Sequence, residues 1–245
     1  MNKESVNPAR SIYYGLMSKM FVFSTKESRY EGVVEALDLL IANPMDENSG
    51  EALKEIKEYI HSGAYQVLSD EYDDIFHSPA TSTLRDTASY YDEGVESGKK
   101  RLEVKNFLAK TKIRRDEKSF KSNEDSIGFL VTLMHELIEL NISGDTQYST
   151  VEHCLFTEVI NGFFDEFIVN LYEHDSANAY KSLAVVFNAF MEFERLYFDE
   201  RKPVPKEKVA KSIEEDCEYV SAEEAKRRAR NKALRDADPR ERVQK

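Results

Sequence analysis

The chain has 245 residues, 41% of them hydrophobic and 33% charged, with a formal net charge of -12. A chain of this size buries a sizeable core as one large domain or two small ones, and so negative a balance argues against nucleic acid as the main partner, because phosphate neutralisation needs a basic face. The longest nearly apolar runs, such as SLAVVFNAFM at 182–191, fall well short of the ~20 residues that cross a bilayer, so no stable membrane insertion is expected.

The charge is uneven. Residues 221–245 carry nine Lys/Arg and five Asp/Glu, a net of +4, which leaves about -16 on the rest of the chain. An acidic body favours encounter with a cationic partner. The opening MNKESVNPARSIYYGLM lacks the basic-then-apolar order of a secretory signal. Cys154 and Cys217 have no metal-type spacing, which fits a reducing compartment, and the cytoplasm is the expected location.

Helical periodicity recurs along the chain, and no alternating strand stands out. Ile12, Tyr13, Leu16, Met17, Met20 and Phe21 form a first stripe, and Tyr30, Val33, Val34, Leu37, Leu40 and Ile41 a second that stops at Asn43-Pro44. A shorter stripe runs through Leu53, Ile56 and Ile60. A fourth carries Tyr65, Leu68, Tyr72, Ile75 and Phe76, with Asp70, Glu71, Asp73 and Asp74 mostly on the other faces and Pro79 closing the run. From 78 to 98 the pattern lapses, then KKRLEVKNFLAK resumes a helix over about 99–110. The polar TKIRRDEKSFKS reads as a connector with a hinge at about 111–122. Three long helices follow: one from near Ser122 through Ile138, one from Leu155 to Leu171, and one from Tyr180 to Met191. After RKPVP the chain turns charged and Ala-rich, and Ser221 with Glu224 makes a capping-box pattern. With little apolar surface to bury, 201–245 is expected to be a marginal helix or a disordered extension. The predicted architecture is all-α, a single helical domain over 1–200 with about eight to ten helices.

Catalytic constellations are sparse. HELIE at 135–139 lacks the second His of the zinc-protease helix, and Glu58–His61 is the only Glu-x-x-His pair where a di-iron bundle needs two. No glycine loop for phosphate is present, and the Arg114-Arg115 pair lies inside the chain with no apolar stretch after it. These absences predict no enzyme activity, no cofactor and no bound metal. Glu194 extends the last helical stripe by one step; it is either buried and paired or placed where the helix end reaches the surface.

Three stretches, in order, resemble the TorD/DmsD family of redox-enzyme maturation chaperones. EYDDIFHSP at 71–79 is similar to the family's acidic-aromatic helix end, ASYYDEG at 88–94 to the segment beyond the following loop, and SNEDSIGFLVTLMHELIE to its acidic turn opening a long apolar helix. FFDEFIVNLYEHDSANAYKSLAVVFNAFMEFE resembles its last two core helices. The resemblance covers about residues 10–200. It implies an all-helical cytoplasmic chaperone without catalysis that binds the twin-arginine leader, and sometimes the body, of a molybdenum-cofactor oxidoreductase subunit before export. Carried over by position, the leader groove includes Tyr72, Ile75, Phe76, Ser89, Tyr90, Tyr91 and Asp125, with Ser126 where the family usually has His. An apolar groove with carboxylates suits a leader that joins two arginines to an apolar stretch. From the residues alone, Tyr72, Ile75 and Phe76 are equally plain core, and Asp125 equally an acid favoured by the dipole of a helix begun near Ser122. A monomer and a dimer that exchanges helices across 111–122 both fit. The competing readings are a helical adaptor whose basic tail docks an acidic partner, and an all-α metal-dependent enzyme.

Because the last 25 residues add little apolar burial, a chain ending near Glu200 is expected to melt as a helical protein close to full length. Loss of the cooperative thermal transition on truncation would show that the extension packs on the core.

Overall fold

The structure, a computed structural model, describes residues 3–24, 27–118 and 120–204. The chain divides into two units, Met1–Pro203 and Val204–Lys245. Every element below belongs to the first. Apart from Val204, the second lies outside the described residues, and with it Cys217 and the Ser221–Glu224 capping pattern.

Among the described residues there are nine α-helices and no strand: α1 (Lys3–Phe21), α2 (Val33–Ala42), α3 (Glu47–Phe76), α4 (Ala88–Glu93), α5 (Lys99–Ala109), α6 (Ile127–Ile142), α7 (Ser149–Leu155), α8 (Asn161–Tyr172) and α9 (Ala179–Phe198). A π-helical turn, Phe156–Ile160, joins α7 to α8, so the predicted long helix over this region is one continuous rod with a widened turn. The second stripe ends at Asn43, as its Asn-Pro signal predicts. At the head of α3, Asp46 and Ser49 close a reciprocal capping box: Ser49 N–H donates to Asp46 Oδ1 at 2.7 Å and Asp46 N–H to Ser49 Oγ at 3.0 Å.

Three boundaries differ from the sequence expectation. The stripes of Leu53–Ile60 and Tyr65–Phe76 belong to the single helix α3. That helix is bent, because Glu55 accepts from Ser182 while Glu71 accepts from Asn178 and Tyr180. Sixteen residues of straight helix would separate those acceptors by about 24 Å, whereas the donors lie within about one turn of α9. Midway sits Ser62-Gly63, a Gly/Ser pair of the kind at which helices kink. The lapse over 78–98 contains the short α4, which ends on Gly94 at a left-handed φ of 71°. The helix expected from Ser122 begins instead at Ile127, with Ser126 as its cap.

The core is built on α1 and α6, which pack antiparallel. Phe21 lies against Gly128, Ser18 bonds Thr132 at 2.7 Å, Gly15 faces His135, and Ser11 bonds Glu139. At Gly128 a Cβ would stand 2.5 Å from the Phe21 carbonyl oxygen, so only glycine permits this approach. The Phe21 ring then reaches Phe187 at 5.0 Å, Phe167 at 5.7 Å, Tyr180 at 5.8 Å and Phe76 at 6.1 Å, joining α1, α3, α8 and α9.

Two buried acids hold the helices in register. Glu194, left open by the sequence, is fully buried. It takes Arg10 Nε at 2.6 Å and Nη2 at 2.7 Å, and Tyr14 Oη at 2.9 Å. Glu71 departs from its expected outer face. It is buried and accepts the first backbone N–H groups of α9, Asn178 at 2.6 Å, Ala179 at 3.2 Å and Tyr180 at 2.8 Å. It therefore does from α3 what an N-cap side chain normally does from within its own helix. Burial holds its carboxyl above the usual carboxylate range despite those donors.

Removing this borrowed cap strands buried N–H groups. Glu71→Ala is expected to cost about 3 kcal/mol in urea unfolding, and Glu71→Gln, which keeps an acceptor, markedly less. Equal midpoints for the two variants would contradict the capping role.

Candidate functional site

The end of α3, the loop after it and the connector before α6 enclose a cleft of about 300 Å³. Tyr72, Phe76 and His77 form its aromatic wall, Leu84, Arg85, Asp86 and Thr87 its floor, and Lys121, Ser122 and Asn123 its far rim, with Glu96 at one end. Phe76 packs on Tyr72 at 4.8 Å between ring centres, and Tyr72 on His77 at 5.3 Å. Acidic and aromatic groups thus meet in one place, although they come from segments far apart in sequence.

A reciprocal clamp holds the floor. Thr87 and Ser126 form an isolated antiparallel bridge. The first N–H of α6, on Ile127, donates to the Asp86 carbonyl at 2.7 Å. The first N–H of α4, on Ala88, donates to the Asp125 carbonyl at 2.9 Å. Ser89 N–H then donates to Asp125 Oδ2 at 3.0 Å, and Ser126 Oγ accepts from Phe129 N–H at 3.4 Å. Asp125 is thus outside the first turn of α6, contrary to its expected place there. Its carboxylate caps α4, a helix starting 37 residues earlier in the chain.

Of the residues carried over from the resemblance, the structure brings Tyr72 and Phe76 into the cleft. Ile75, Ser89, Asp125 and Ser126 are buried beneath or beside it. Tyr91 is also buried, donating from its hydroxyl to the Arg85 carbonyl at 2.9 Å, while half-buried Tyr90 carries the Arg85 guanidinium 5.6 Å from its ring centre. This second group therefore shapes the floor: it fixes the backbone on either side of Asp86. Asp86 and Glu96 were not legible as site residues. Their one sequence signal is position, since the 77–87 loop joins two recognisable segments and its side chains must lie between them.

The electrostatics single out Asp86. Burial, with Glu96 adding to it, pushes its carboxyl up to about 6. Among the described residues no cationic side chain bridges it. Arg85 lies at the exposed edge, 3.6 Å from Glu96, and the Lys121 ammonium is directed to the Glu117 carbonyl. Glu124 behaves in the opposite way. Burial opposes its charge, but hydrogen bonds from Arg101 at 2.6 Å and Arg115 at 2.8 Å prevail and hold it down at about 2. The Arg115 of the internal arginine pair is thereby spent on fixing the connector. Glu124 is paired by its neighbours, whereas Asp86 has no ion pair among the described residues.

The remaining sequence candidates are structural. His61 bonds the Lys57 carbonyl on the surface, and His135 and Glu139 meet Ser11 across α1 and α6. Among the described residues no group of three or more His, Cys, Asp or Glu is arranged to hold a metal ion, and no helix is long and apolar enough to cross a membrane.

The family model for the nitrate reductase delta subunit matches residues 42–169, a span that includes every residue lining the cleft. Among solved structures the chain is similar to a candidate redox enzyme maturation protein from Archaeoglobus fulgidus, at 18% identity over 80% of this chain and 94% of that one, with a TM-score of 0.47. No curated protein matches the chain.

Asp86 also couples stability to pH. Its folded value of about 6 exceeds the ordinary 3.8, so the protonated form stabilises the fold below about pH 4, and that contribution is lost as pH rises through about 6. Asp86→Asn stays neutral throughout. Its stability relative to the parent chain is expected to grow between those pH values and level off at about 3 kcal/mol in urea unfolding. A pH-independent difference would contradict the raised carboxyl.

Proposed function

Because the chain belongs to the nitrate reductase delta subunit family of TorD/NarJ-type redox-enzyme maturation chaperones, we propose that it binds the twin-arginine leader of a molybdoenzyme subunit in the cleft between α3 and the α6 connector. Asp86 takes a leader guanidinium, with Glu96 beside it, and the Tyr72–Phe76 wall packs against the apolar part of the leader. Bound there, the subunit is held from export until its molybdenum cofactor is in place. The observation that carries this reading is a half-buried carboxylate, without an ion-pair partner among the described residues, in a cleft with an aromatic wall.

The chemistry supports the assignment. A guanidinium offers a planar fork of donors to a carboxylate, and the partly desolvated setting of Asp86 makes such a pair stronger than one on the open surface. A cleft of about 300 Å³ accommodates a single long side chain and excludes a folded domain. The acidic body draws a cationic leader in from a distance. Ile75, Ser89, Tyr91, Asp125 and Ser126 act as positioning residues: they hold the loop that presents Asp86. Nothing in this role requires a reacting group, which accords with a binding protein and not an enzyme.

Calorimetric titration with a synthetic twin-arginine leader tests the assignment. Phe76→Ala is expected to weaken binding by about 1–3 kcal/mol, with thermal melts run on the same variant to separate a lost contact from a loosened core. Affinity should rise as pH passes upward through about 6, where Asp86 gains its charge. Unchanged affinity in a folded Phe76→Ala protein, with no pH dependence, would place the leader elsewhere.

A further inference from the structure

A second cavity, of about 360 Å³, opens between the start of α1, the α6–α7 turn and the end of α9. It shares no lining residue with the cleft beside α3. On its inner side lies the buried Arg10, flanked by two carboxylates. Glu194 takes two of its nitrogens in a bidentate pair and is fully occupied by them and by Tyr14. Glu152 accepts from a third nitrogen, Nη1, through Oε1 alone, at 2.7 Å. One guanidinium therefore faces two acids, and Glu194 already balances it.

Glu152 is the surplus charge. Its side chain is 3% exposed, and it lines the second cavity. Among the described residues its Oε2 has no hydrogen-bond partner, yet that oxygen is not sealed from solvent as a stranded buried atom would be. The oxygen therefore faces the cavity. Among the described residues no cationic side chain other than Arg10 pairs with Glu152, and His153 directs Nε2 to Glu200 at 3.5 Å and stacks on Phe198. Hydrogen-bonding groups on Asn7, Asn141 and Ser149 line the cavity, and Tyr197 and Phe198 supply an aromatic side. Burying an unbalanced carboxylate is costly unless a cation meets it.

We propose that this cavity is a second binding site, for an alkylammonium or guanidinium group of side-chain size, with Glu152 as its anionic anchor. The cation forms a charge-assisted hydrogen bond to Glu152 Oε2 and extends the alternating chain of charge that runs from Glu194 through Arg10 to Glu152. The polar wall selects for a ligand that donates hydrogen bonds, and the volume admits one chain terminus or side chain. Both an arginine of a bound polypeptide and a small free amine present this chemistry. The site does not depend on the leader-binding cleft.

The five histidines make the two cavities separately visible, because His153 lines this one and His77 the other. Imidazole C–H signals of the full chain, assigned with His153→Gln and His77→Gln, are followed by NMR during titration with N-acetylarginine amide, its uncharged citrulline analogue, and agmatine. The His153 signal should shift with the two cationic probes and stay still with the citrulline analogue. Tighter binding of agmatine would point to a free amine, and tighter binding of the peptide-like probe to a polypeptide arginine. Ser149→Arg places a guanidinium one turn from Glu152 at an exposed position, and should weaken the His153 response at least tenfold while leaving His77 unaffected. Glu152→Gln, checked by melting, should do the same. An immobile His153 signal with both cations, or equal shifts in the Ser149→Arg chain, would overturn the proposal.

Discussion

Helices α4 and α6 begin at the same place, and each segment before them supplies the acceptor that the other's first turn lacks. Ile127 donates to the Asp86 carbonyl, and Ala88 and Ser89 donate to the main chain and side chain of Asp125. Two converging helix N-termini bring partial positive charges together, and the acid at 125 offsets that cost. Leaving these buried donors unpaired would cost ~1–3 kcal/mol each. The cleft exists because of this clamp: it stretches 84–87 across the end of α3 and leaves the Asp86 side chain facing inward.

The clamp also explains what was readable beforehand. Helical periodicity located the long helices, though it split α3 in two, because burial against α1, α6 and α9 demands an apolar stripe and the stripe is local. The segments EYDDIF, ASYY and NEDS were legible through their resemblance, in order, to the TorD/DmsD family. What those patterns encode is chiefly the frame. Tyr72 and Phe76 reach the cleft, while Asp125, Ser89 and Ser126 build its support. Glu71 was placed on an outer face because helix spacing alone cannot see α9 arriving with uncapped N–H groups. Asp86 and Glu96 went unnoticed because their meaning comes from burial and from each other. The single helix α3 read as two because Ser62, Gly63 and Ala64 leave a gap in its apolar stripe between Ile60 and Tyr65.

Several carboxylates of this molecule differ in how they are met. Glu71, Glu124 and Glu194 are met by donors of the chain itself, and each fixes one element against another. Asp86 and the outer oxygen of Glu152 are not so met, and both border open cavities. A partly desolvated acid without its cation weakens the fold, and a cation arriving from outside would relieve that cost. A chaperone that must release its client also gains from such a site. Binding then rests on a few charge-assisted contacts and a modest apolar wall, and a completed client can pull away.

The central claim is that Asp86 meets an arginine of the leader, and a double-mutant cycle measures that pair directly. Asp86→Asn in the protein is combined with Arg→Gln at either leader arginine, and the four affinities are determined by calorimetry near pH 7.5. The asparagine chain is expected to be the more stable one at that pH, and urea unfolding of the same variant separates weaker binding from unfolding. A coupling energy of at least about 1 kcal/mol with one of the two arginines is the expected result. Losses that add within about 0.5 kcal/mol for both arginines would mean that Asp86 and the leader do not touch.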